Sequence, residues 1–201
     1  KRQLPMETLL SIKNECGLSL CQEFIYYNPA RLPSPIQYVN IDRIRVKDSF
    51  TRVWWFSRSA NPKANNRNVL KQYSKQMKKL LETGQYNAGE RPSEHSISET
   101  AFNNDNGGAI PSNVIIASNT NSRDPYLLRC KENGIKIHPA RMPFEVPRFF
   151  INLLTDENDI VMDCFAGSNT TGYCAEEAKR RWISVEADKD YYMGSKYRFI
   201  R

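Results

Sequence analysis

The sequence predicts an α/β fold built on a parallel strand–helix–strand unit and carrying an inserted basic region. Three observations lead there. Two short apolar runs, "DIVMD" (159–163) and "WISVEAD" (182–188), flank the helical stretch "TTGYCAEEAKR" (170–180), the spacing of a strand–helix–strand unit with parallel strands. The first run passes into that helix through "DCFAGSNTTG" (163–172), a turn of glycines and small hydroxyl and amide residues. Between about residues 59 and 121 the apolar periodicity lapses into a basic helical segment and a long polar loop.

Taken in order, residues 4–16 have helical spacing, with Leu9, Leu10 and Ile12 apolar and Gly17 as a stop. "LSLCQEFIYYN" (18–28) reads as a strand rich in aromatic and branched residues. Pro29, Pro33 and Pro35 force an extended loop after it. "TRVWWFS" (51–57) is a second strand, in which alternation sends one of Trp54 and Trp55 to the core and the other outward. "NVLKQYSKQMKKLLETG" (68–84) reads as a helix and residues 87–113 as loop. "PFEVPRFFINLLT" (143–155) reads as a helix with Phe149, Phe150, Leu153 and Leu154 on its apolar side. "DIVMD" reads as a short buried strand, and a last helix starts near Asp190.

Composition narrows the function classes. No run approaches the ~18 apolar residues of a membrane span, and "KRQLPMETLL" lacks the apolar core of a signal peptide. The chain begins with Lys, so residues upstream of it are expected. Five cysteines (Cys16, Cys21, Cys130, Cys164, Cys174) in no CxxC spacing speak against a zinc site or disulfide scaffold and suit a reducing cytoplasm. Two histidines, His95 and His138, are too few for a multi-histidine metal site, and no metal is expected. The formal charge is +7, yet residues 41–80 hold eleven Lys or Arg against Asp42 and Asp48 alone. So concentrated a positive field is the footprint of a polyanionic partner.

The turn at 163–172 sits where nucleotides bind in doubly wound sheets, at the carboxyl end of a strand and the start of a helix. It has neither the GxGxxG spacing nor the lysine of a phosphate loop. Asp163 closes one strand and Glu186 the next, and an acid about 20 residues on is what holds a ribose hydroxyl pair in this architecture. The residues therefore point to a nucleoside cofactor.

"DCFAGSNTTG" resembles the cofactor loop of the DNA amino-methyltransferases, and "IHPARMPFEVPRFFINLL" (137–154) resembles their other cofactor motif. Their order is that of the beta-arranged subgroup. "NPARLPSP", "RIRVKD" and "VWWFS" resemble cytosine-N4 DNA methyltransferases of PvuII type. Cys164 stands where the family often has Pro, and Asn169 where many members have Gly. The resemblance implies a Rossmann-like S-adenosylmethionine-dependent methyltransferase fold with an inserted target-recognition region. It divides the chain into strands of the catalytic subdomain (1–58), the target-recognition region (59–121) and the S-adenosylmethionine-binding subdomain (122–201). The residues implied for the cofactor are Asp163, Phe165, Gly167, Ser168, Asn169, Thr170 and Glu186 on one side, with His138, Pro139, Ala140 and Arg141 closing the other.

In that family a [DNS]-Pro-Pro-aromatic loop accepts the amino hydrogens of the target base, which is flipped out of the double-stranded DNA. No Pro-Pro dipeptide occurs here. "DPY" at 124–126 is one proline short, and "NPA" at 28–30 is no better. No catalytic residue is therefore assigned within the chain, and a missing N-terminal half on the same or another chain is expected. No cysteine follows a proline, which disfavours carbon-5 cytosine chemistry. DNA contacts are implied for Ser34, Arg43, Arg45, Lys47 and Arg52, with Arg43, Arg45 and Lys47 alternating along an extended segment. They are implied also for Lys71, Lys75, Lys78 and Lys79, sharing a helical face. The reading is a cytoplasmic, site-specific cytosine-N4 DNA methyltransferase of a restriction–modification system. Adenine-N6 methylation, an inactive DNA-binding remnant, and a small-molecule or RNA methyltransferase stand as alternatives.

Overall fold

The computed structural model of the chain describes residues 3–86, 89–90, 96–98 and 102–200. His95 lies outside them. The chain divides into two units, residues 1–64 with 112–201, and residues 65–111.

The larger unit holds both candidate cofactor segments. Its first helix, α1 (Leu4–Glu15), leads into β1 (Ser19–Tyr27), which pairs antiparallel with β2 (Phe50–Ser57) and parallel with β5 (Val114–Ile116). After β5 come α3 (Pro125–Glu132), α4 (Glu145–Leu154), β6 (Ile160–Asp163), α5 (Thr170–Glu177), β7 (Arg181–Ser184) and α6 (Lys189–Ser195). A 3-10 turn, Lys196–Arg198, follows. β6 and β7 are parallel, with Met162 beside Ile183 and Asp163 beside Ser184, and α5 connects them. The strand–helix–strand reading is therefore the observed topology, its two strands forming a small sheet separate from the β2–β1–β5 sheet.

Helix α4 packs on elements of both sheets. Its Phe149 and Phe150 meet the buried Phe24 of β1 edge-on, with ring centres 5.8 and 5.0 Å away. Such pairs contribute about 0.5–1.5 kcal/mol each beyond burial. Its Ile151 joins Cys174 and Ala175 of α5, with Val161 and Trp182 packed around them. The buried residues of α4 are Val146, Pro147, Ile151 and Leu153, so the apolar stripe expected around Phe149, Phe150, Leu153 and Leu154 is rotated toward its N-terminal turn. Two aromatics pressed into the β1 sheet leave Ile151 to seat on α5.

Other expectations are corrected. β6 is not buried on both faces: Ile160 and Met162 are 55% and 58% exposed, as are Ile183 and Val185 beside them at 50% and 49%. The opposite face is covered by α4 and α5. Trp54 and Trp55 are both half-buried rather than one in and one out; Trp54 turns its indole N–H to Glu23 Oε1 at 3.2 Å. Residues 37–41 form a π-helical turn, and Arg43 has φ +53°, so residues 43–47 are not an extended run with one basic side.

In the smaller unit, the expected helix at 68–84 is a 3-10 turn (Asn66–Val69) followed by a shorter α2 (Lys75–Thr83). Ser74 breaks the run by capping α2, its Oγ accepting from Met77 N, and Gly84 ends it at φ +66°. The strands β3 (Gly89–Glu90) and β4 (Ser96–Ile97) pair antiparallel within the stretch read as loop. Lys71 precedes α2, its backbone bridged to Ala109, so only Lys75, Lys78 and Lys79 share the helix.

Candidate cofactor site

The β6–α5 turn is held by its own side chains. Asp163, at the end of β6, accepts from Phe165 N with Oδ1 (3.0 Å) and from the Thr171 hydroxyl with Oδ2 (2.6 Å). One carboxylate thus closes the turn onto the first residues of the following helix. Gly167 sits at φ +52°, and Asn169 follows at φ +56°. An asparagine is tolerated there because its side chain bonds locally. Asn169 Oδ1 accepts from Gly172 N at 3.1 Å, capping α5, and from Ser184 Oγ at 2.7 Å, tying the cap to β7. Ser168, Asn169 and Thr170 are buried. Cys164 is exposed and Phe165 projects furthest, at 93% exposure.

Glu186 lies two residues past β7 and reaches back to the turn. Its Oε2 accepts from Gly167 N at 2.7 Å, and its Oε1 accepts from Asp188 N at 2.8 Å. Each oxygen keeps capacity for a further donor. The acceptor-only carboxylate is therefore fixed in orientation and suited to a vicinal hydroxyl pair, the donor set of a ribose. Asp188 caps α6 and pairs with Lys136 at 2.8 Å, which holds its carboxyl below the usual range.

The 138–141 segment reaches the turn through one residue. A β-carbon at Gly167 would lie 2.9 Å from His138 Nε2, so the imidazole and the glycine backbone are in direct contact. The ring also meets Tyr191 edge-on at 4.6 Å, and the His138 backbone N–H donates to the Tyr126 hydroxyl at 3.1 Å. His138 Nδ1 is buried without a hydrogen-bond partner. Pro139 and Ala140 are exposed. Arg141 is mostly buried and turned toward Asp124, 3.8 Å away.

A cleft of about 510 Å³ is lined by Gly167, Asn169, Ser184 and Glu186, together with Tyr192 and Met193. That is within the roughly 300–1,000 Å³ of small-molecule sites. Asp163, Phe165 and residues 138–141 do not line it. The structure thus brings His138, Gly167 and Glu186 into one chain of contacts, while Asp163 and Asn169 act on the turn's shape.

Sequence reasoning missed the residues behind this site. Asp124, set aside as part of an incomplete proline motif, is the N-cap of α3, accepting from Tyr126 N at 3.1 Å with Pro125 at the first helical position. An N-cap followed by proline is a legible helix start. Its partner Arg198 had no local pattern to reveal it.

Of the residues implied for DNA, Arg43 is exposed and Arg45 stacks on Tyr38 with its guanidinium 4.2 Å from the ring centre. Lys47 is engaged internally, donating to the carbonyls of Pro29 and Arg31 at 3.2 Å each. Arg52 is paired with Glu23 at 2.6 Å. Ser34 precedes a cis proline in the exposed 29–36 loop. In the smaller unit Lys71, Lys75, Lys78 and Lys79 are exposed. Among the described residues there is no cluster able to hold a metal ion and no helix long and apolar enough to cross a membrane.

The chain as a whole is similar to known proteins. The Type II methyltransferase M.PvuII of Proteus hauseri is 47% identical over 194 residues, which are 96% of this chain and 57% of that protein. The solved structure of PvuII DNA methyltransferase (cytosine-N4-specific) superposes with a TM-score of 0.76 at 38% identity, covering 98% of this chain and 57% of the other. The structure of M1.HpyAVI with SAM matches with a TM-score of 0.58 at 18% identity over the whole chain and 72% of its own, a likeness of fold. The chain thus spans just over half the length of the PvuII enzyme. The profile of the N6 and N4 methyltransferases, described as DNA methylase, matches residues 7–196, and the chain belongs to that DNA methylase family.

Proposed function

We propose that the chain is the cofactor-binding and DNA-recognising portion of an S-adenosylmethionine-dependent DNA methyltransferase that methylates the exocyclic N4 of cytosine. The observation that carries the reading is the Glu186 carboxylate clamped on the Gly167 amide, with His138 closed on the same glycine. S-adenosylmethionine supplies an electrophilic methyl group. Glu186 would accept from the ribose hydroxyls, and the left-handed turn at Gly167 lets a ligand approach the backbone closely. The cytosine-N4 specificity of the PvuII enzyme supports cytosine-N4 over adenine-N6.

Transfer to an exocyclic amine needs acceptors that draw off the amino protons, and the base must leave the stack to reach the methyl group. The chain has no Pro-Pro loop for this. We assign that loop to a segment outside the chain, on the same polypeptide or a separate one. The exposed apolar face of the β6–β7 sheet and the 57% coverage of the relative support it. The basic residues Arg43 and Arg45, and the lysines of α2, would meet DNA phosphates, and residues 59–121 would choose the site. Cytoplasmic action within a restriction–modification system follows from the same reading.

Calorimetric titration with S-adenosylmethionine tests the cofactor claim: Glu186→Ala weakens binding, whereas unchanged binding overturns the site. Mass spectrometry of nucleosides from DNA treated with the complete enzyme tests the product. N4-methylcytosine supports the reading, and N6-methyladenine replaces it.

A further inference from the structure

The cofactor turn is anchored from behind by a residue that none of its motifs contains. Arg198, in the 3-10 turn after α6, is 7% exposed. Its Nε donates to the Ser168 carbonyl at 2.6 Å, and one terminal nitrogen donates to Ser168 Oγ at 2.9 Å. The other donates to both oxygens of Asp124, at 3.2 and 3.3 Å. The guanidinium also lies over the Tyr126 and Phe144 rings, 4.7 and 5.2 Å from their centres. Arginine's planar fork suits this divided task, which a single ammonium cannot reproduce.

The anchored carbonyl occupies a sensitive place. Ser168 lies between two left-handed residues, Gly167 and Asn169, where no regular ladder fixes the peptide planes. The Gly167 amide, one residue back, is the group that meets Glu186. The same cluster reaches the opposite wall, because Asp124 approaches Arg141 and Tyr126 receives the His138 N–H. Burial disfavours the Arg198 charge, and Asp124 offsets it. A buried cation kept for packing alone has no need to spend two donors on the turn.

We propose that Arg198, held by Asp124, is a positioning residue that sets the Ser168 peptide and thereby the Gly167–Glu186 contact on which cofactor binding depends. The proposal rests on the cofactor reading given above. Arg198→Lys keeps the charge but loses the fork; Asp124→Asn keeps the helix cap but loses the charge partner. Arg148→Met, which breaks the half-exposed Arg148–Glu177 pair between α4 and α5, is the control for general destabilisation.

Two readouts are taken well below the melting temperature. Hydrogen exchange of the ligand-free protein over residues 163–172 rises in both test variants and stays as wild type in the control. The dissociation constant for S-adenosylmethionine rises about tenfold or more in Arg198→Lys, as expected for losing a charge-assisted hydrogen bond, and is unchanged in Arg148→Met. Unchanged exchange overturns the anchor, and faster exchange with unchanged affinity overturns the positioning role. Faster exchange in the two test variants, with a wild type that takes up no S-adenosylmethionine, overturns the cofactor reading, and the positioning role with it, while the anchor itself stands.

Discussion

Replacing Gly167 with alanine isolates the contact between the two candidate cofactor segments. The cost has two separable parts. An L-residue held at φ +52° gives up about 1–2 kcal/mol. The new methyl group would also lie 2.9–3.2 Å from three atoms of the His138 ring. That ring is backed by Tyr191, and its backbone is tied to the Tyr126 hydroxyl, so its retreat is restricted. Overpacking of this kind adds about 1–3 kcal/mol, giving about 2–5 kcal/mol for Gly167→Ala. Removing the ring first, with His138→Ala, leaves only the backbone part, about 1–2 kcal/mol. Urea unfolding of the wild type, both single variants and the double variant measures the difference as a coupling of about 1–3 kcal/mol favouring the double. Additivity within about 0.5 kcal/mol refutes the contact.

Three further outcomes are expected. Asn169→Ala removes the α5 cap and the tie to Ser184, and lowers unfolding free energy by about 1–2 kcal/mol in the same assay. Asn169→Gly also loses the cap but relaxes the backbone, and falls less. The Arg52 hydrogen bond, then that of Trp54, holds the Glu23 carboxyl below its ordinary 4.5. Because the folded value is the lower one, its stabilisation is complete above 4.5 and is lost as pH falls through the folded value; NMR titration shows the low midpoint, and Arg52→Gln moves it up. Burial pushes the Cys174 thiol up to about 12. At pH 8 a thiol reagent therefore labels exposed Cys16 and Cys164 in the folded protein, and Cys130 and Cys174 only after denaturation.

Much of the candidate site's geometry was legible because its parts are local. The turn, its glycines and the acid at 186 lie within one strand–helix–strand unit, where spacing alone fixes which residues meet. α1, β1 and β2 were likewise readable from apolar pattern and proline punctuation. Three things were not. The division of residues 68–84 depended on Ser74 capping α2 in preference to continuing the helical run. The partial exposure of β6 could not be read from "DIVMD", since a four-residue apolar strand has the same pattern with one face covered or two. The Asp124–Arg198 pair joins residues 74 positions apart, and no periodicity records a contact at that range.

The three tryptophans are not equivalent in what they can report. Trp182 lines the cleft beside Glu186, stacks on Phe199 with ring centres 5.0 Å apart and planes within 13°, and donates its indole N–H to Glu176 at 2.7 Å. Trp54 and Trp55 belong to β2, outside that cleft. An indole so held is a native optical gauge of the cavity, sensitive to any ring or charge brought against it. A change in its emission is the expected sign of a filled cleft, read against the β2 pair, which lies outside it.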